Sequence, residues 1–284
     1  MSSTTTATSP SLTELARHFR SLHQPSNLLI LTNVHDTPSA TLIASLPQTT
    51  ALASASYAVA ESQGIPDAAL TLDLNLKGLA AIRAGIDAWT SQHPDKLLPL
   101  SADLQDGYED PAETVKRAIE TAGIVGCNIE DLDTDPEGSR PVRLRSIEEN
   151  VARLKSALQG AEAAGIPAKL FTINARTDVL GFDGTIDDCI TRGLAYLDAG
   201  AACVFVWGVG KHVITKEEAA KMAKAFGGRL SLQPGGMGVK GAREAGASRV
   251  STGPYLWRQI KEVEAQEKEK GDIMRKAALE ILQG

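Results

Sequence analysis

The sequence predicts one (β/α)8 TIM barrel. Eight short apolar runs recur along the chain, and helical patterns lie between them. Most of these runs are apolar at every position, as parallel strands are when both faces are covered. Many of the helical patterns stop at a glycine, at Gly123, Gly165, Gly200 and Gly246, so the helix-ending signal returns at a regular interval. Eight strand–helix units in roughly 250 residues is the size of one barrel. A doubly wound open sheet is the rival. Its dinucleotide-binding form loses its main support because no Gly-x-Gly-x-x-Gly follows the first strand.

In chain order, residues 1–11 (MSSTTTATSPS) are polar and lack the apolar stretch of a secretory signal and the arginines of a transit peptide. They read as a disordered tail. Residues 12–284 read as a single barrel domain with a C-terminal helical extension. A first helix is expected over Leu12–His23. Strands are expected at Leu28–Thr32, Ala51–Ala55, Leu97–Asp103, Gly126–Glu130, Lys169–Ala175, Cys203–Trp207, Leu230–Gln233 and Arg249–Thr252. Helices between them include Asp110–Ala122, Ser146–Ala164, Thr185–Ala199, Lys216–Phe226 and Val239–Ala245. The last piece, Tyr255–Gly284, is charged and helical and longer than a closing helix needs. It is expected to pack on a neighbouring subunit.

The net charge is −6 and the basic residues are scattered, which argues against nucleic acid and anionic membrane as partners. No apolar run reaches the length of a membrane span. Cys127, Cys189 and Cys203 stand far apart, without a Cys-x-x-Cys pair or a disulfide framework, so a reduced cytoplasmic setting is expected.

Barrels carry their chemistry at the C-terminal ends of their strands. In chain order those ends present Asn33, His35 and Asp36; Ser54 and Ser56, with Asp67 further on; Asp103, Gln105, Asp106 and Tyr108; Glu130 and Asp131; Asn174, Arg176 and Asp178; Trp207 and Lys211; Gln233; and Ser251 and Thr252. Several have a simpler structural reading. Asp110 before Pro111 is a helix N-cap. Asp106 serves the turn in SADLQDGYEDP. Asp131 and Asp133 stand in an acidic loop, DLDTDPEGS, and read as solvated. His35 and His212 read as local hydrogen-bonders, and the cysteines as core. Asp103, Glu130 and Arg176 resist that reading as a set. Polar endings on consecutive buried strands are unfavourable unless they face one another or a ligand. The acids suit a hard divalent cation such as Mg2+, and Arg176 suits a substrate carboxylate.

The stretch SADLQDGYEDPAETVKRAIETAGIVGCNIED is similar to the signature of the isocitrate lyase/phosphoenolpyruvate mutase superfamily. INARTDVL resembles that family's Ala-Arg-Thr-Asp/Glu strand, and YLDAGAACVFV, LTNVHDTPSATLIA and GASRVSTGPYLWR continue the likeness in the same order over roughly residues 25–260. The resemblance implies a barrel of the phosphoenolpyruvate/pyruvate-binding type whose last helix is exchanged between subunits, in a homodimer or homotetramer. It implies Mg2+, or Mn2+ in its place, and a small 2-oxo or 2-hydroxy carboxylate. By position, it implies that Asp103 contacts the metal, that Glu130 and Asp67 belong to the metal's surroundings, and that Arg176 binds the substrate carboxylate. Ala55, Ser56 and Tyr57 would offer backbone amides to the same carboxylate, with Asn33 and Asn174 beside it.

Two departures shape the expected activity. Gln105 stands where the second acid of Asp-x-Asp usually is. The loop LDTDPEGSRPVRL lacks the Cys-Gly-His of the isocitrate lyases and the Lys and Asn of the phosphonate mutases. The expectation is a Mg2+-dependent carbon–carbon lyase or decarboxylase working through an enolate-like intermediate, with Tyr108 as a proton donor. A hydrolase or C–C lyase of a specialised pathway using His35 or Asp36 as base, and a catalytically silent carboxylate-binding barrel, are the alternatives.

Overall fold

The computed structural model describes residues 10–25, 27–134, 141–208 and 210–283, with side chains through residue 269. Most of the expected tail, residues 1–11, lies outside the described residues. Ser11 does not belong to a tail. It caps the first helix, α1 (Leu12–Leu22), in a reciprocal box with Glu14.

Strand β1 (Leu29–Val34), helix α2 (Thr37–Ala44), β2 (Leu52–Ser54), α3 (Ser56–Ser62) and α4 (Leu72–Thr90) follow. Then come β3 (Leu100–Asp103), α5 (Pro111–Ala122), β4 (Gly126–Glu130), a two-residue hairpin of β5 (Leu132–Asp133) and β6 (Arg143–Leu144), and α6 (Ile147–Ala163). The chain continues through β7 (Thr172–Thr177), α7 (Ile186–Asp198), β8 (Cys203–Val206), α8 (Lys216–Ala225), β9 (Leu230–Leu232), α9 (Gly238–Glu244), β10 (Arg249–Ser251) and α10 (Tyr255–Gln283). Eight strands close a parallel barrel in chain order, β1-β2-β3-β4-β7-β8-β9-β10, with Leu29 against Arg249 at the seam.

All eight expected strands form, and two of them start three residues later than expected for local reasons. Pro99 has no N–H to give a ladder, so β3 begins after it. Leu170 and Phe171 donate their amides to Pro167 O, which turns the chain before β7. The hairpin was not expected; two-residue strands are too short for a periodic signal.

Helices pack closely where glycine allows it. A Cβ on Gly160 of α6 would lie 2.1 Å from the Ala112 carbonyl oxygen of α5. Between helices and sheet lie the fully buried rings of Phe19, Phe171, Tyr196 and Phe226. Ile30 of β1 is 42% exposed, so at that point the described residues leave the sheet's outer face uncovered. No helix among the described residues is long and apolar enough to cross a membrane.

The barrel interior is not the usual stack of branched apolar side chains. Arg249 of β10 donates to Ser101 of β3 and Asn128 of β4. These strands are not neighbours, so the bonds cross the lumen. Asn174 of β7 donates to Asn128, and the Cys203 thiol of β8 donates to Asn174. A polar layer therefore lies beneath the mouth.

Gly160→Ala is expected to lower stability by about 1–3 kcal/mol. Gly236→Ala, where nothing lies within 4 Å, should stay within about 0.5 kcal/mol of wild type. Thermal unfolding of the two variants side by side checks the difference. Equal melting temperatures would mean that the α5–α6 contact is not tight.

Candidate active site

A cavity of about 910 Å³ opens at the C-terminal ends of the strands. Asp67, Asp103, Glu130 and Arg176 all line it. Arg176 is held from two sides, with Nη1 2.7 Å from Glu130 and Nε donating to Asp178 at 2.8 Å. Its guanidinium also lies over the Trp207 ring, 4.2 Å from the centroid. Burial drives the Glu130 carboxyl above its ordinary range, and the Arg176 charge opposes that shift. Burial alone would lower the Arg176 pKa, but the charges of Asp178 and Glu130 outweigh it and raise it. The guanidinium stays charged, with part of its side chain exposed to the cavity.

The turn after β3 shapes one wall. Gln105 (φ 51°) and Tyr108 (φ 55°) are in the left-handed region, which favours glycine. Each such residue costs on the order of 1 kcal/mol or more and persists where its surroundings over-determine it. Here Gln105 O accepts from Glu130 N, and Gln105 Nε2 donates to the Asp67 carboxylate at 3.1 Å. The Tyr108 hydroxyl accepts from Asn75, and Asp106 accepts from Tyr108 N. Burial pushes the Tyr108 phenol pKa up, so it stays protonated. Asp106 thus serves the turn as expected, and it also pairs with Arg145 at 2.9 Å.

Ala55, Ser56 and Tyr57 line the cavity at the start of α3. The Ser56 amide donates to Asp103 at 3.0 Å. Asn33 lines the cavity too, but its side chain ties three strand ends together: it donates to Ser54 O and accepts from Gly253 N and Thr252 Oγ1. Asn174 does not line the cavity. It is fully buried one layer below, bonded to Asn128 and Cys203. Asn174 shares the inward face with Arg176, two positions on; its register partner Asn128 does line the cavity, so the difference in height comes from the stagger between strands.

Other expectations need correcting. Asp131 is not solvated but fully buried, accepting from Asp178 N at 2.9 Å, Tyr196 Oη at 2.9 Å and Arg192 at 3.2 Å. Asp133 pairs with Arg143 and Arg145 across the β5–β6 hairpin; residues 135–140 of that loop lie outside the described residues. Asp36 caps α2, and His35 is buried edge-on to Trp257 with its pKa lowered by burial. Neither lines the cavity, so neither is placed to act as its base. Asp110 caps α5 as expected. Sequence reasoning missed Asn128, Arg145 and Arg153 on the wall. Asn128 had a usable signal, since it lies two positions before Glu130 and must share its face.

Among the described residues no three His, Cys, Asp or Glu side chains gather into a metal cage. The donor set nonetheless fits a hard cation that keeps water, since Mg2+ takes only one or two carboxylates in such sites. Asp67 is held above its ordinary pKa by burial first and then by the charge of Asp103. Two carboxylates on one wall, with the neutral Gln105 amide beside them, are short of positive charge.

A family model of phosphoenolpyruvate phosphomutase matches residues 19–270. A Burkholderia cenocepacia J2315 protein provisionally named a phosphonomutase superposes with a TM-score of 0.77 at 30% identity, covering 92% of this chain and 100% of its own. The structure of 2,3-dimethylmalate lyase, a member of the PEP mutase/isocitrate lyase superfamily, gives 0.74 at 23% identity, covering 92% and 88%. A phosphonopyruvate hydrolase structure that holds oxalate and Mg2+ gives 0.72 at 21% identity, covering 90% and 88%. The last two likenesses speak to fold alone.

The raised Asp67 pKa sets a pH dependence. Folding favours the protonated acid, so that stability is complete below the ordinary carboxylate pKa of about 4 and is lost as pH rises through the folded value. With divalent metal chelated, Asp67→Asn should therefore melt above wild type at pH 7, with the gap closing toward pH 4. Unfolding scans across that range check it. A variant less stable than wild type at pH 7 would show that Asp67 carries no such penalty.

Proposed function

The chain belongs to the phosphoenolpyruvate phosphomutase family, and we propose that it is a Mg2+-dependent carbon–carbon lyase or decarboxylase for a small 2-oxo or 2-hydroxy (di)carboxylic acid. The observation that carries this reading is the convergence on one cavity of the Asp67 and Asp103 carboxylates and the clamped Arg176 guanidinium. Related proteins named above are lyases, mutases or hydrolases, so an enzyme is the expectation that fits them.

Arg176 binds the substrate carboxylate, its geometry set by Glu130 and Asp178. The backbone amides of Ala55 and Tyr57 bracket the same anion, while the Ser56 amide holds Asp103. Asp103 would hold the metal, with Asp67, Gln105 and Glu130 around it; when bound, Mg2+ or Mn2+ would supply a Lewis acid for the substrate oxygen on which charge develops. Decarboxylation of a 2-oxo diacid breaks the bond between C3 and its carboxylate, releases CO2 and leaves the electron pair on the enolate-like oxygen at C2, which fixed donors stabilise. Tyr108 holds the proton that quenches it, its hydroxyl fixed by Asn75 at 2.9 Å. Among the described residues no Cys or His lines the cavity, which favours cleavage or decarboxylation that needs no thiol or imidazole base. The exposed Ile30 on the sheet's outer face supports a homodimer or homotetramer in which a second copy's C-terminal helix covers it.

Calorimetric titration of oxalate with and without Mg2+ tests the reading. Binding should require Mg2+ and disappear in Asp103→Ala. Arg176→Lys should raise the dissociation constant by about tenfold or more, since lysine cannot reproduce the planar fork. Oxalate binding that ignores Mg2+, or that survives intact in Asp103→Ala, contradicts the metal assignment.

A further inference from the structure

We propose that Asn128 is a substrate-contacting residue whose side-chain N–H2 faces the cavity floor as a donor to an anionic oxygen of the ligand, with Arg249 as the positioning residue that holds it so. The proposal rests on the reading of the cavity as a carboxylate site and names a donor on its floor.

Arg249 is fully buried, and among the described residues no carboxylate pairs with it. A guanidinium has donors and no acceptor. Its Nη2 reaches Asn128 Oδ1 at 3.2 Å, and Asn174 Nδ2 donates to the same oxygen at 2.8 Å. The Cys203 thiol donates to Asn174 Oδ1 at 3.0 Å, which fixes the Asn174 amide in turn. The orientation of Asn128 therefore follows from chemistry. Turning the amide over would set N–H2 against a guanidinium and against a second amide N–H2.

What remains of Asn128 is the nitrogen, which has no hydrogen-bond partner among the described residues and is not one of the buried unpartnered atoms, so the small exposed part of Asn128 includes it. The residue lines the cavity, opposite Asp103 in the β3–β4 register and two positions before Glu130. With no ligand bound, that donor is left to water in the cavity, and a ligand group that cannot accept from it would forfeit the bond. An oxygen of the ligand satisfies it, and the unpaired charge of Arg249 below makes an anionic oxygen the better fit. The floor is thus complementary to carboxylate or enolate oxygens and hostile to a ligand group that only donates.

The test is titration of oxalate, with Mg2+ present, into wild type, Asn128→Ala and Asn128→Asp, each paired with a melting curve. In Asn128→Asp one oxygen still accepts from Arg249 and Asn174, so the fold is kept. The other oxygen meets the ligand with negative charge and no proton. Asn128→Ala should weaken oxalate by about tenfold and should melt below wild type, because it leaves Arg249 and Asn174 short of an acceptor; Asn128→Asp should weaken oxalate by about 100-fold or more and melt close to wild type. In wild type, the Asn128 side-chain 15N–1H2 signals, identified by their loss in Asn128→Asp, should shift and become protected from exchange when oxalate binds. Arg249→Lys, which keeps a donor-only cation, should retain more oxalate affinity than Arg249→Met. Folded Asn128 variants that bind oxalate within threefold of wild type overturn the proposal while leaving the carboxylate reading intact. Wild type that binds no oxalate overturns both.

Discussion

The cluster of Glu130, Arg176 and Asp178 is the interaction on which the mouth of the barrel depends. A guanidinium stripped of water is unfavourable unless its charge and its donors find partners, and here two carboxylates and an aromatic face surround it. Removing one partner of a buried pair typically costs about 3–5 kcal/mol, so the three side chains hold one another in place. Two of them, Glu130 and Arg176, are paired across the β4–β7 register, which makes their meeting a consequence of strand alignment. Asp178 sits just past β7 and is anchored through its amide to Asp131.

Around that centre the protein uses arginines at three levels. Arg249 crosslinks the floor through uncharged amides and hydroxyls. Arg176 stands on the wall. Arg145 and Arg153 secure the rim, where Arg145 joins Asp106 to Asp133 and Arg153 donates to the carbonyls of Asp106 and Tyr108. The strained backbone at Gln105 and Tyr108 is held between rim and wall, and the acids of the site depend on that turn for their positions.

Asp103, Glu130 and Arg176 were legible because each is a polar residue ending an otherwise apolar strand. Asp131 was misread for the complementary reason. Its neighbours in sequence are acidic and turn-forming, while the groups that bury it, Tyr196 and Arg192, come from α7. Asn33 and Asn174 were both taken as mouth residues; Asn33 does line the cavity while it ties strand ends, but Asn174 lies a layer down. A position near a strand's end does not say at which height in the barrel the side chain emerges, because height depends on the stagger between strands.

The sequence by itself determined the barrel, its eight strands, most helix ends and the set of residue types at the mouth. Those follow from local periodicity, caps and the burial of apolar runs, which neighbours along the chain specify. Only the tertiary structure decided which acid is bound to which arginine, which face of Asn128 meets the cavity, and that Asp131 is core. Those depend on side chains from strands and helices far apart in sequence, and on a closed lumen whose desolvation forces every polar group to find a partner.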